Sequence, residues 1–435
     1  MTLTAEMNEA FQLIEGTDQC LYITGKAGTG KTTFLKYIVD NSKKCIMVTA
    51  STGIAAINAG GVTLHSLFSI PLGVQNPNET LKGRLRQDKV ELFQKLDTLI
   101  IDEISMVRSD TIDFIDRRLR LYRMCNRPFG GVQVVMFGDL YQLPPVVKAD
   151  EKNVLLQLYR GVYFFYAHVF LEEGFKVIEL NQVFRQSESR FVEILNHIRS
   201  YRLTAKDIDD LDELRDRRES MNLNNGHIHI CSYKKDVQKI NSSMLGQATD
   251  TFDAKFDGEF PEASAPCDNK LALRVGARVM MLTNDPCHAY CNGSMGDVTE
   301  IRKTAIEVKL DTGRTITVTP FKWEAKEYKI EKGKVVTIDK GSCTQFPLTL
   351  AWAITIHKSQ GLTFDKVSIH ANGIFASGQL YVALSRCRTM GGIISESFIN
   401  NRHIIPDKEL MAFEQAVKSC KNIFNRSTYR SMKLK

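Results

Sequence analysis

"GKAGTGKTT", residues 25 to 33, decides the fold of this chain. It fits the spacing G-x-x-x-x-G-K-[ST] through Gly25, Gly30, Lys31 and Thr32. An apolar run, "CLYIT" (20–24), leads into it, and a helical pattern follows. That strand–loop–helix context is what the motif requires. The glycines let backbone N–H groups wrap phosphate oxygens. Lys31 adds a point charge, and the Thr32 hydroxyl is placed to face Mg²⁺. Gly28, Thr29, Gly30, Lys31, Thr32 and Thr33 are therefore the candidate ATP-binding residues.

Working outward, short apolar runs alternate with helical stretches through the first 180 residues. The expected strands are "CLYIT", "CIMVTA" (45–50), "TLIID" (98–102), "VQVVMF" (132–137) and "FKVIEL" (175–180). Continuous apolar runs interleaved with helices predict an α/β fold with a parallel sheet covered on both faces. A second α/β region starts near residue 181, with strands in "HIHICSY" (227–233), "KVSIHA" (366–371) and "GGIISES" (391–397). Between them, "MGDVTEI", "IEVKLDTGRTITV" and "KGKVVTI" alternate and break at Asp-Thr-Gly and Lys-Gly turns. This texture predicts a small antiparallel barrel inserted into the second domain. The charged stretch 205–219 reads as a solvated helix or linker.

"TLIIDEISM" (98–106) supplies the P-loop's partner. Asp102 at the strand end is a candidate Mg²⁺ residue. Glu103 is a candidate to orient or deprotonate the attacking water. "VQVVMF" ends on the same edge, because ligands sit beyond the carboxyl ends of the strands in open α/β sheets. Asp139 and Gln142 are then expected beside the γ-phosphate. Pro144 and Pro145 keep the chain from turning helical there.

Bulk properties agree with this reading and exclude others. The chain has 435 residues, enough for two or more domains, with 43% hydrophobic and 25% charged residues. No apolar run approaches the roughly 20 residues that span a bilayer. The N-terminal "MTLTAEMNEAFQ" has neither a basic flank nor an apolar core of a secretory signal, so a cytoplasmic protein without membrane contact is expected. The 10 cysteines suit free thiols in a reducing compartment. "CHAYC" (287–291) has metal-ligand chemistry but no second half. The net charge of +7 is unevenly placed: "RRLRLYRMCNR" (117–127) has five arginines and no acid. It reads either as a phosphate-facing patch or as a solvated helix face, and the basic C-terminus offers the same choice.

The motifs in this order resemble the Pif-type helicases of superfamily one, close to the RecD-like branch. The matching runs are "ITGKAGTGKTTFL", "VTASTGIAAINAGGVTLHSLF", "LIIDEISM", "RPFGGVQVVMFGDLYQLPPV", "LNQVFRQ", "LTLAWAITIHKSQGLTFDKV" and "GQLYVALSRCR". The resemblance implies two RecA-like domains, a small wedge insertion and an SH3-like β-barrel insertion. The implied boundaries are 1–180 for the first domain, with the wedge at 65–78. The second domain takes 181–250 and 343–412, the barrel 251–342, and a basic tail 413–435. The implied activity is ATP-driven 5′-to-3′ DNA unwinding, with ATP and Mg²⁺ as cofactors. The implied partners are single-stranded DNA, 5′-tailed duplexes, G-quadruplexes, RNA–DNA hybrids and a single-strand-binding protein.

Site roles carry over by position. Arg185 and Arg386 match the family's arginine fingers; a guanidinium brought across a cleft stabilises transition-state charge. With Lys31, Glu103 and Gln142 they form the expected catalytic set. Gly361 in "HKSQGLT" matches the loop linking nucleotide to the second domain. Thr52, His65, Phe129, His357 and Ser359 are the candidate DNA contacts, with a base able to stack on Phe129. Phe129 as a core residue and His65 as a packed neutral histidine are the bland alternatives. Where the family carries an adenine-reading glutamine, this chain has Met7. Asn8, Gln12 or backbone must then read the base. Two rivals stay open: a nucleic-acid-stimulated ATPase that moves without separating strands, and a P-loop enzyme such as a small-molecule kinase.

Overall fold

The computed structural model describes residues 3–432, apart from 72, 82–84, 185–187, 221–225, 261, 263–264, 284, 286–288, 291 and 332–333. Cys287, His288 and Cys291 lie outside the described residues.

The first sheet is built from β1 (Cys20–Gly25), β2 (Ile46–Ala50), β3 (Val62–Thr63), β4 (Thr98–Asp102), β5 (Gln133–Phe137) and β6 (Phe175–Leu180). Their order across the sheet is β6-β1-β5-β4-β2-β3, all parallel. Side chains alternate between two buried faces, as the period of a strand demands. Leu21, Ile23, Ile100, Val135 and Phe137 pack under α1 (Ala5–Gly16) and α2 (Lys31–Asn41), through Met7, Ala10, Ile14, Phe34, Leu35 and Ile38. Tyr22, Leu99, Ile101, Val134 and Met136 fill the other face. Because β5 lies between β1 and β4, its C-terminal end opens between the P-loop and Asp102.

The chain's last segment is not a tail. Ile423–Phe424 adds antiparallel to β6 as a seventh strand, flanked by helices Lys408–Ser419 and Arg426–Ser431. Phe413, Phe424 and Met432 are buried in the first domain's core. The Phe424 ring stacks on Phe175 at 4.8 Å and approaches Phe413 at 5.3 Å. Apolar burial on the first sheet thus outweighs the segment's positive charge. Phe424→Ala is expected to lower stability by about 3 kcal/mol, the usual scale for emptying an aromatic site. Thermal unfolding checks it, and an unchanged transition would mean the segment is dispensable.

The basic helix is also inward-looking. It lies in Ser109–Arg123, and its guanidinium groups serve the fold. Arg118 is buried over Phe114. Arg117 donates to the carbonyls of Asn76 and Glu79, and Arg120 pairs with Asp116 and Glu172. Arg123 donates to Phe93, Leu96 and Gly130, while Arg127 faces Asp18. Four of the five arginines are thus engaged within the fold, while Arg127 stays exposed. The segment after His65 is tied to the same helix: Gln75 N–H donates to Asp110, and Arg108 donates to the Gly73 carbonyl.

A second parallel sheet has the order Ala353–Thr355, β7 (Ile228–Cys231), Val367–Ile369, Ile393–Ser395. The intervening residues form antiparallel sheets, as expected for the inserted β unit. Five strands run Thr315–Val318, Ile306–Leu310, Met295–Ile301, Arg278–Met281, Leu348–Leu350. A long hairpin, Phe321–Glu331 with Lys334–Gln345, pairs with Lys255–Gly258, and Lys270–Leu273 pairs with Asp250–Asp253. Leu348–Leu350 belongs to this insertion because it pairs with Arg278–Met281, so the insertion runs past 342. Residues 205–220 form a helix.

Candidate nucleotide cleft between the two domains

The P-loop leaves β1 and turns into α2. Gly28 and Gly30 adopt φ of 80° and 79°, left-handed values that cost a glycine little. A Cβ on Gly25 would meet Thr29 Oγ1 at 2.6 Å and the Leu180 carbonyl at 2.8 Å. Side chains are thus excluded where backbone N–H groups must crowd a ligand. Lys31 Nζ donates to the carbonyls of Gly25 at 2.7 Å and Lys26 at 3.1 Å, folding back over its own loop. This geometry fits a chain of phosphates at the α2 N-terminus. Thr29 is buried, whereas Thr32 and Thr33 are exposed at the first turn.

Asp102 ends β4 inside a wall of protein. Burial and the neighbouring Glu103 carboxylate push its pKa up to about 7. A cation at that point would relieve both effects, so the donor set fits a divalent ion. Glu103 has a left-handed backbone (φ 52°), and its N–H donates to Asp102 Oδ1 at 2.9 Å.

The two domains meet over these groups. Gln360 Nε2 donates to Glu103 Oε2 at 2.8 Å and to Gln142 Oε1 at 3.3 Å. The Ala27 N–H of the P-loop donates to the Tyr381 hydroxyl at 2.8 Å. Gly378 (φ 76°) lies so close that a Cβ there would overlap the Gln142 carbonyl. A cleft of about 1100 Å³ opens beside them, lined by Thr32, Lys36, Thr52, Asp102, Glu103, His357, Gln360 and Gly361.

The structure therefore brings Lys31, Thr32, Asp102, Glu103, Gln142 and Gly361 to one region and separates others. Asp139 turns away from it. Its carboxylate is buried against Arg199 at 3.4 Å, and that guanidinium stacks over Tyr141. Gln12 is exposed, off the helix face that buries Met7, Ala10 and Ile14. Met7 and Phe184 stand beside the loop: a Cβ on Gly30 would lie 3.8 Å from Met7 Cε and 3.6 Å from Phe184 Cδ2. Arg386 is buried and braces the "HKSQG" loop, donating to the carbonyls of Ser359 and Leu362 at 3.3 and 3.2 Å. Arg185 lies outside the described residues; the Phe184 N–H just before it donates to the Gly28 carbonyl.

The candidate DNA contacts divide in the same way. Phe129 is fully buried among core aromatics, 5.8 Å from the Phe170 ring, so no base can stack on it. Ser359 is fully buried and donates to the Ile356 carbonyl. Thr52 caps a helix by accepting from the Ala55 N–H, and it lines the cleft. His357 also lines the cleft, with its pKa held below the usual value by partial burial and Lys234. His65 stands on the outer side of Leu64–Phe68; desolvation and the Arg108 guanidinium lower its pKa. Sequence reasoning missed Gln360 and Tyr381, although both sit inside motifs it quoted.

The chain as a whole is similar to known proteins. The model of the PIF1-like helicase family matches residues 2–209. The ATP-dependent DNA helicase Pif1 of Bdellovibrio bacteriovorus is 30% identical, over 94% of this chain and 91% of its own. The chain belongs to the PIF1-like helicase family. With the family comes the enzyme class: an ATP-hydrolysing helicase acting on DNA. The crystal structure of Bacteroides sp. Pif1 in complex with ADP-AlF4 is 52% identical, covers 98% of this chain and 99% of its own, and superposes with a TM-score of 0.88. The same protein bound to single-stranded DNA superposes with a TM-score of 0.78 at the same coverage. The chain spans 64% of the length of the longer relative RRM3 from Saccharomyces cerevisiae, at 30% identity over 90% of this chain.

Proposed function

We propose that the protein steps 5′ to 3′ along single-stranded DNA and separates duplex ahead of it, with the cleft as motor. The observation that carries this reading is the Gln360 amide, which ties an acid of the first domain to an amide of the same domain from across the cleft. Closing and opening of that contact would convert ATP turnover into relative movement of the domains.

In this reading the P-loop N–H groups and Lys31 hold the β- and γ-phosphates. Thr32 and Asp102 would hold a magnesium ion, which when bound neutralises phosphate charge. Glu103 orients the attacking water and takes its proton. Gln142 and Gln360 form the amide pair that reports the state of the cleft. Arg185 supplies transition-state charge, and Arg386 acts by holding the loop that carries Gln360 and Gly361. Met7 packs beside the loop where the family's glutamine would stand. Thr52, His65 and His357 are the DNA contacts retained. G-quadruplexes and RNA–DNA hybrids are further substrates of the same motor, and a single-strand-binding protein is its natural companion on DNA. The location proposed is the cytoplasm; among the described residues, no helix is long and apolar enough to cross a membrane.

Matched forks with a single 5′ or 3′ tail test the function directly. Displacement of the 5′-tailed fork alone, with ATP turnover stimulated by single-stranded DNA, is expected. Displacement of the 3′-tailed fork would overturn the polarity. Turnover without displacement on either fork would leave translocation only, and turnover indifferent to DNA would return the kinase-like reading.

Gln142→Ala tests the coupling. One hydrogen bond across the cleft is worth about 1 kcal/mol, or roughly fivefold. The variant should bind ATP normally while base pairs separated per ATP fall by about that factor. An unchanged ratio would remove Gln142 from the link.

A further inference from the structure

The second sheet has two unlike faces. Ile228, Ile230, Val367, Ile369 and Ile393 are buried in the domain core. The parallel register sets Ser368 beside both His229 and Ile394. Strand alternation then puts His229, Ser368 and Ile394 on the opposite face, with His370 and Glu396 two residues further on. Backbone ladder bonds continue to those last two: the His370 N–H donates to Ile230, and the Glu396 N–H donates to Ile369. Three potential ligands therefore converge from three adjacent strands. His229 Nδ1 lies 2.9 Å from His370 Nε2 and 4.0 Å from Glu396 Oε1. One ligand atom from each residue lies within 4.8 Å of the other two.

We propose that His229, His370 and Glu396 form a binding site for a divalent transition-metal ion, with zinc as the best fit. Zinc binds imidazole nitrogen and carboxylate oxygen at about 2.0–2.1 Å in tetrahedral geometry. Ligand atoms then stand about 3.3 Å apart. The distances of 2.9 and 4.0 Å bracket that value, so small side-chain rotations bring the set to it. At 2.9 Å one imidazole nitrogen must act as an acceptor, and an imidazole lone pair is what ligates a metal. Magnesium and calcium prefer all-oxygen sets, so two imidazoles select against them. A supporting group is in place: Ser368 Oγ donates to Glu396 Oε1 at 2.7 Å, which orients the carboxylate.

Access and restraint are balanced as a metal site needs. The side chains of His229 and Glu396 are 16% and 14% exposed, open to an entering ion yet fixed by the sheet. Ile228, on the other face, lines the nucleotide cleft, so the two sites are distinct. An ion held here would join three strands of the second domain and stabilise it by binding only the folded state.

The test uses the full chain, stripped of metal and titrated with Zn²⁺ and with Co²⁺. One equivalent of either ion should bind. Zn²⁺, but not Mg²⁺ at equal concentration, should raise the unfolding temperature. The Co²⁺ complex should show visible d–d absorption without a thiolate charge-transfer band, because the chain also contains free cysteines. His370→Gln, His229→Gln and Glu396→Gln should each weaken zinc binding about tenfold or more. Their metal-free unfolding temperature and DNA-stimulated ATP turnover report whether each variant is folded. Zinc affinity unchanged in the folded variants, a thiolate band, or no stoichiometric binding would each overturn the proposal.

Discussion

Lys31→Ala should cut ATP turnover to about 1% of the wild-type rate or less while leaving single-stranded DNA binding largely intact. Preorganised positive charge at a reacting phosphate is worth roughly 10²–10³ in rate when a single donor is removed. Lys31 Nζ already stands over the loop, bonded to the carbonyls of Gly25 and Lys26. It needs only to exchange those carbonyls for phosphate oxygens. The helix it opens is held by other side chains, Phe34, Leu35 and Ile38, all buried in the core beneath the sheet. Loss of the ammonium should therefore leave the fold standing. Thermal unfolding, steady-state turnover and fluorescence anisotropy on a labelled oligonucleotide separate the outcomes. Turnover and DNA binding lost together, with a lowered unfolding temperature, would show that Lys31 supports the fold instead of the reaction.

What could be read from the sequence, and what could not, follows from the range of the interactions involved. The central strands β1, β4 and β5 are legible because they are buried along their whole length and so read as nearly continuous apolar runs. The P-loop is legible because its chemistry is local, with glycine, lysine and threonine within nine residues. Asp102 and Glu103 are legible because they end an isoleucine-rich strand in a chain that also carries a P-loop.

The misreadings come from distant partners or from backbone turns that spacing does not record. Ile423–Phe424 is a two-residue strand, too short for any periodicity, and it exists only because β6 offers an edge. The helix with four of the five arginines looks phosphate-facing until carbonyls from residues 76, 79, 93, 96 and 130 fold onto it. Phe129 belongs to a family motif, yet its ring enters the core from a left-handed backbone (φ 52°). In "HKSQG" the motif points to His357, Ser359 and Gly361. The short helix Ile356–Ser359 buries Ser359, and Gln360 just past its end is the side chain that crosses the cleft. A residue's direction at a helix end depends on one turn of backbone, which a spacing rule does not record.

That crossing gives Glu103→Gln its value. The substitution should lower DNA-stimulated turnover about 100-fold, the usual scale for a general base, while nucleotide binding is kept or tightened. Glutamine is nearly isosteric, and its carbonyl can still accept the Gln360 Nε2 hydrogen bond seen at 2.8 Å. The cleft can therefore still close. Charge is what changes. Burial first and Glu103 second hold the Asp102 pKa up to about 7. Removing the neighbouring carboxylate lowers that value, so Asp102 is more fully ionised at neutral pH and a better cation ligand. Ground-state binding gains while the step needing a base loses. A fluorescent ATP analogue measures the first and steady-state turnover the second. Turnover within about threefold of wild type would show that Glu103 does not handle the water. Nucleotide binding lost in step with turnover would instead make Glu103 a strut between the domains.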